Sequence, residues 1–279
     1  MNYRHLYHAG NFGDVFKHAL LMLMLRCMLK KEGPVTVLDT HAGRGLYDLQ
    51  SDEALKTNEA GLGILKAQHS DNMLLGDYLR VVTEFNPKGS DTIRFYPGSP
   101  TFIAHTLRKN DLLLVNELHD AEAAELRSVF KGDKQVHIHQ RDAYEIWPAL
   151  TPPKTKRGLY FVDPPFEKPE EFAMMRHALV ESYKKCALAV IMMWYPLKDR
   201  PAIWRWHESL VTTGVKKMMV VEHCLYTEER ADRFNGSAFV IINPPYSFQQ
   251  ELPPLLEAIR TALAIDGQTS TMKVDWLAA

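Results

Sequence analysis

Four consecutive residues, Asp163-Pro164-Pro165-Phe166, have the types and spacing to act on an exocyclic amino group. Such a nitrogen is a poor nucleophile because its lone pair is delocalised into the ring. Hydrogen bonds from it to an acidic oxygen and to a backbone carbonyl favour its pyramidal, reactive form. Asp163 offers the first acceptor and the carbonyl of Pro164 the second. The prolines stiffen the turn and hold the preceding residue extended. The ring of Phe166 can stack on a base lifted from its helix or loop. The same tetrapeptide also reads as a proline-rich strand exit with a capping aspartate, so it does not decide the matter by itself.

A second motif adds a donor. Val35-Thr36-Val37-Leu38 reads as a short strand running into Asp39-Thr40-His41-Ala42-Gly43-Arg44-Gly45. A strand, an acid and a D-x-x-x-G-x-G loop are what binding S-adenosylmethionine in an α/β fold requires. The glycines, Gly43 among them, take turn conformations closed to other residues and let the backbone approach a ligand. Glu117, which ends the apolar run Leu112-Leu113-Leu114-Val115-Asn116, is suited to the two ribose hydroxyls of such a cofactor. Asp142 stands where a side chain can take the adenine amino group, with the N–H of Ala143 offered to the ring; equally, Asp142 is a candidate helix N-cap. Near the start of the first helical segment stand Lys17 and His18, cations that oppose the helix dipole. A locally unfavourable choice hints at function: His18 can meet the methionine end of the cofactor, and Lys17 can serve a carboxylate or phosphate.

The elements that must position these residues are legible as a rhythm. Strands are expected at 35–39, 112–117, 136–139, 158–163, 187–194, 217–222 and 238–243. Helices are expected at about 13–31, 120–130, 169–185 and 199–213. Alternating strands and helices imply a mostly parallel sheet covered on both faces. The expected fold class is α/β, a Rossmann-like class I S-adenosylmethionine-dependent methyltransferase sheet of seven strands with the last antiparallel. The interval after the glycine loop is too long for one crossover. Leu75, Tyr78, Leu79 and Val82 there follow i, i+3, i+4, i+7, and Ala60 to Gln68 is a second helical candidate. Residues 47–94 therefore read as an inserted helical subdomain that walls the active site. Residues 1–46 and 95–279 form the main domain.

Composition narrows the classes. At 279 residues with 46% hydrophobic residues, the chain has enough apolar material for a substantial core. No apolar run is long enough to span a bilayer, and no signal peptide is evident, so a soluble, cytoplasmic protein is expected. Cys27, Cys186 and Cys224 are scattered, and the twelve histidines form no compact ligand set, so no metal is expected. A net charge of −1 argues against a uniformly basic nucleic-acid binder but allows a local patch. The loop Pro152-Pro153-Lys154-Thr155-Lys156-Arg157, directly before the strand that carries Asp163, is the foremost candidate for one.

The motifs together resemble the RlmJ (YhiR) family of bacterial 23S rRNA adenine-N6 methyltransferases. The resemblance runs almost end to end. It is carried by Tyr3-Arg4-His5, His8-Ala9-Gly10-Asn11, Asp14, Lys17-His18, Leu38 to Gly43, Tyr96-Pro97-Gly98-Ser99-Pro100, Glu117-Leu118-His119, Arg157-Gly158 with Asp163-Pro164-Pro165, Trp194-Tyr195-Pro196 and Ile242-Asn243-Pro244-Pro245. It implies cofactor contacts at His18, His41, Ser99, Glu117, Asp142 and Ala143, with Asp163 as catalytic acceptor. It also implies an N-terminal motif, Tyr3, Arg4 and His5, that meets the RNA. The implied partner is 23S rRNA, before or during ribosome assembly, and the protein is expected to be a monomer. Two positions depart from the family: Phe166 replaces the usual Tyr, and Arg44 replaces a small residue. Asn243-Pro244-Pro245-Tyr246 is a rival acceptor motif, rejected because it ends the seventh strand away from the donor loop. Adenine methylation of DNA, a non-catalytic nucleic-acid-binding protein linked to use of external DNA, and a nuclease are the alternative readings.

Overall fold

Asn11 caps α1 (Phe12–Leu29) by accepting the backbone N–H of Asp14 at 2.9 Å. This helix is buried on nearly every side, which is why its sequence is apolar all round. The computed structural model describes residues 4–89, 92–230 and 232–279. After α1 the chain forms β1 (Thr36–Asp39), then β2 (Leu46–Asp48), α2 (Asp52–Thr57), α3 (Ile64–Ala67), α4 (Gly76–Glu84) and β3 (Phe95–Pro97). There follow α5 (Ser99–Thr106), β4 (Leu112–Asn116), α6 (Asp120–Val129), β5 (Val136–His139), α7 (Ala143–Ala149) and β6 (Gly158–Val162). The last part contains α8 (Glu171–Lys185), β7 (Val190–Leu197), α9 (Arg200–Val211), β8 (Met218–Cys224), β9 (Gly236–Ile242), α10 (Tyr246–Ala262) and β10 (Thr271–Ala278).

The main sheet runs β10-β8-β9-β7-β6-β1-β4-β5. From β5 to β7 all neighbours are parallel, whereas β9 inserts antiparallel between β7 and β8. Most central strands are buried on both faces, which is why they read as continuous apolar runs. The sheet has eight strands where seven were expected. The extra one, β10, pairs antiparallel with β8 at the edge and is mostly exposed. Pairing with β8 gives this stretch, which carries Lys273 and Asp275, its place in the sheet. Helices α5 and α10 were not anticipated either, and α7 only through Asp142 as a candidate N-cap. Pro100, Pro148, Pro253 and Pro254 break up their patterns.

The direction of strand order reverses between β1 and β6. In an open α/β sheet the crevice outside the carboxyl ends at such a switch point is where ligands bind. Asp39 and Asp163 stand at those two ends, since Asp39 is in register with Phe161.

The segment between β2 and β3 contains short helices, as its periodicity predicts, framed by an antiparallel β2–β3 ribbon. Ile64, Leu75, Tyr78, Val81 and Val82 share one apolar core with α1. It also meets the N-terminal segment backbone to backbone, where the N–H of Ile64 donates to the Gly10 carbonyl at 2.8 Å. A Cβ on Gly63 would lie 2.0 Å from that carbonyl oxygen. Gly63→Ala is therefore expected to cost about 1–3 kcal/mol of stability by forced separation of the two backbones. Denaturant unfolding checks this, and an unchanged midpoint would show that the junction gives way freely.

Candidate active site

The carboxyl ends of β1, β4, β6 and β7 and the segment leading into α1 enclose a cavity of about 380 Å³. Lys17, His18, His41, Gly43, Ser99, Glu117, Asp142, Ala143, Asp163, Pro164 and Phe166 all line it, as does His5. Residues from both sequence motifs and from the N-terminal segment thus meet in one space.

At its centre is a buried ion network. Lys17 Nζ lies 2.7 Å from Asp163 Oδ2 and 3.1 Å from Asp14 Oδ1. The other Asp14 oxygen accepts the Gly10 N–H at 2.8 Å and lies 2.9 Å from His5 Nε2. Asp14 is wholly buried and Lys17 nearly so. Burial by itself would pull the Lys17 ammonium down, but Asp163 and Asp14 reverse this and hold it above its ordinary range. Burial would likewise raise Asp14, but His5 and Lys17 outweigh it and hold that carboxyl well below the usual carboxylate range. Burial pushes the Asp163 carboxyl up against the pull of Lys17. Lys17 also stands over the Trp194 ring, 4.5 Å from its centroid. Asp163 is held by one oxygen only, and no described residue donates to the carbonyl of Pro164. Phe166 sits in a left-handed backbone conformation (φ 52°). Its ring packs edge-on against Phe172 and Trp194, at 5.0 and 5.8 Å between centroids.

The other half of the cavity is built by backbone. Glu117 Oε2 accepts the Gly43 N–H at 2.9 Å and Oε1 accepts the His119 N–H at 2.7 Å. The acid therefore ties β4 to the glycine loop, and burial raises its pKa. Gly43 has φ +59°, and a Cβ there would strike the Tyr47 hydroxyl at 2.2 Å. Asp142 is the N-cap of α7, with both cap bonds, from the N–H groups of Tyr144 and Glu145, going to Oδ1. Capping and lining the cavity are compatible, since one oxygen does the capping. His41 lies edge-on to Tyr144, and burial takes its imidazole down to about 4. His18 Nδ1 lies 2.7 Å from the hydroxyl of Tyr96, which in turn is 3.2 Å from that of Tyr78 in α4. Burial brings His18 down to about 3, so its ring is neutral.

Ser99 donates to Asp39 Oδ2 at 2.6 Å. Burial pushes the Asp39 carboxyl up to about 7, against the pull of that hydroxyl. The folded protein thus keeps a proton that an unfolded Asp releases near about pH 4. This contribution favours the fold at low pH and is lost as pH rises through about 7. Asp39→Asn is expected to flatten stability across that window, read by denaturant unfolding at about pH 5 and about pH 8. An unaltered pH slope in the variant would rule out a protonated Asp39.

Some predicted residues are not brought to the cavity. Tyr3 lies outside the described residues. Arg4 does not line the cavity; its guanidinium lies 3.5 Å from Glu53 and 3.6 Å from Glu122. Arg44 does not line it either, forming a two-pronged pair with Glu122 at 2.7 and 2.8 Å. The basic loop 152–157 sits at the amino end of β6, opposite Asp163. There Arg157 donates to the Met28, Lys31 and Gly33 carbonyls at the end of α1. Asn243 is likewise remote, because β9 runs antiparallel and its end lies beside the start of β7. Its side-chain amide donates to the Ala187 and Ala189 carbonyls.

Residues of the cavity and its ion network that residue-by-residue reading left without a role are Asp14, Glu59, Tyr47 and Trp194. Asp14 had a usable signal: it stands at i, i+3 to Lys17 and supplies the acid that the start of a helix favours. Glu59 reaches His8 Nδ1 at 2.7 Å and the Asn11 amide at 3.0 Å, a long-range contact with no local signature.

A family model described as ribosomal RNA large subunit methyltransferase D, RlmJ, matches residues 32–278. Two curated proteins named ribosomal RNA large subunit methyltransferase J, from Escherichia coli and Haemophilus influenzae, are each 33% identical over 279 residues. Each match covers 99% of both chains. A crystal structure of a Legionella pneumophila protein superposes with a TM-score of 0.88 at 32% identity, covering 96% of this chain and 98% of that one.

Proposed function

Because this chain belongs to the RlmJ family of ribosomal RNA large subunit methyltransferases, we propose that it methylates the N6 amino group of an adenine in 23S rRNA. The observation that carries the reading is the Asp163–Pro164 turn, which borders the same cavity as the Gly43–Glu117 pair. S-adenosylmethionine supplies an electrophilic methyl group when bound. The residues fit that cofactor: Glu117 is pinned by two backbone N–H groups with lone pairs to spare for ribose hydroxyls. Asp142 keeps one oxygen beyond its cap bonds, for an adenine amino group. His41, Ser99 and Ala143 complete the donor half, and neutral His18 with Lys17 borders its reactive end.

The target half rests on Asp163. Its oxygen not held by Lys17 accepts one amino hydrogen and the Pro164 carbonyl accepts the other, aligning the nitrogen lone pair. Phe166 stacks on the base, with Tyr3 and His5 as further substrate contacts. Lys17 fixes Asp163 by an ion pair and pulls against the burial that raises its carboxyl. Asp163 need not be a strong base, since the methylated ammonium is acidic and sheds its proton after transfer. Positioning supplies most of the acceleration, and the Asp163 carboxylate stabilises charge arriving on nitrogen. An adenine must leave its stack to reach the partly buried Asp163, and the proposed substrate is 23S rRNA before or during ribosome assembly.

Incubation with labelled S-adenosylmethionine and unmodified 23S rRNA, or matched duplex DNA, tests the proposal. N6-methyladenosine in digested RNA is the expected product. Label in DNA alone would transfer the reading to a DNA methyltransferase, and no label in either would remove the enzymatic reading.

A further inference from the structure

We infer that Lys168 and Lys198 form a phosphate grip at the mouth of the target half of the site, holding the RNA backbone beside the extruded adenosine. This rests on the reading of the substrate as RNA. Of the lysines and arginines among the described residues, three line the cavity: Lys17, Lys168 and Lys198. Lys17 is buried and locked between two carboxylates, so it has no charge to spare. Lys168 and Lys198 are exposed, and their ammonium groups make no hydrogen bond or ion pair with any described residue. Acids lining the same cavity are engaged: Glu59 with His8 and Asn11, Glu117 with two backbone N–H groups, Glu122 with Arg44, and Glu171 with the Tyr144 hydroxyl. Lys168 and Lys198 are thus the cavity cations left to meet a phosphate, although acids including Asp142, Asp163 and Glu167 line the same cavity and the chain as a whole carries −1.

Placement ties the pair to the target base. Val162 of β6 is in register with Met193 of β7, so Asp163 leaves β6 beside Trp194, while β7 continues to Leu197. Lys168 follows Asp163 through the Phe166 turn, and Lys198 follows Trp194 and Pro196, both of which line the cavity. Two cations on adjacent strand exits flank the aromatic wall that faces the base. Contacts of this kind position a nucleic acid and are sequence-independent and salt-sensitive.

The test is methyl transfer to 23S rRNA by wild type, Lys168→Ala/Lys198→Ala and Lys168→Arg/Lys198→Arg, at about 50 and about 200 mM salt. Cofactor affinity is measured alongside as a check on folding. The alanine pair is expected to raise KM for RNA about tenfold at the lower salt. It should also reduce the slope of log affinity against log salt by about 1.4, two contacts at about 0.7 each for single-stranded RNA. The arginine pair restores both. A KM and slope equal to wild type would overturn the grip, as would a loss confined to kcat. If the alanine pair also loses cofactor, the single Lys168→Gln and Lys198→Gln variants carry the same comparison. Wild type that methylates no RNA would remove the proposed function and the grip with it; wild-type activity matched by the alanine pair removes the grip alone.

Discussion

Asp163→Ala is expected to lower kcat for methyl transfer by about a thousandfold while the protein still folds and binds S-adenosylmethionine. The magnitude follows from what one preorganised acceptor at the reacting atom contributes, about 10²–10³-fold, plus the lost alignment of the nucleophile. Folding is expected to survive because Lys17 retains Asp14 at 3.1 Å when Asp163 is gone. Asp163→Asn is the sharper probe. It keeps the shape of the side chain but removes the negative charge that both Lys17 and the incoming amino group require. Single-turnover methylation with calorimetric cofactor binding separates the two effects. Near wild-type turnover in either variant would refute a catalytic Asp163, whatever the cofactor affinity.

Asp14→Ala is expected to cause the largest loss of stability of any single change in the site. Its carboxylate is fully buried and serves Lys17, His5 and the Gly10 N–H together. Removing one member of a buried charge set costs about 3–5 kcal/mol, because its partners are left desolvated without compensation. For a chain of this size that is on the order of 10 °C in the unfolding midpoint. The pH behaviour carries a sign. A carboxyl held below its ordinary range stabilises the fold above about pH 4, where the unfolded chain is ionised. That contribution is lost only as pH falls through the much lower folded value, so at neutral pH the full penalty of the mutation should appear. Activity should fall too, since His5 and Lys17 lose their common anchor. A thermal scan showing less than a few degrees of change would mean that water replaces the carboxylate, and that the network is less closed than its burial indicates.

What the sequence determined by itself is the chemistry and its order along the chain. Two motifs at strand ends point to a candidate donor loop and acceptor turn, because glycine, proline and an acid each restrict backbone and polarity locally. The alternation of apolar runs with amphipathic stretches suffices for a parallel sheet for the same reason: both periodicities are local. The helical character of residues 47–94 was legible in the spacing of Leu75, Tyr78, Leu79 and Val82. Tertiary structure alone decided which of the local signals meet. Lys17 looked misplaced near the start of a helix, and only the crossover from α1 to the end of β6 supplies Asp163 as its partner. Arg44 departs from its family inside the donor loop, yet its guanidinium is taken up by the buried Glu122. The basic loop before β6 seemed the natural grip for RNA, but a loop entering a parallel strand lies at the opposite end of the sheet from the residue leaving it. Asn243 was dismissed for the same geometric reason, through the antiparallel entry of β9. Glu59 and β10 had no signal of their own, since each acquires its role from a neighbour distant in the chain. Residue type and spacing specify what a group can do; distance across the fold specifies which group it does it with.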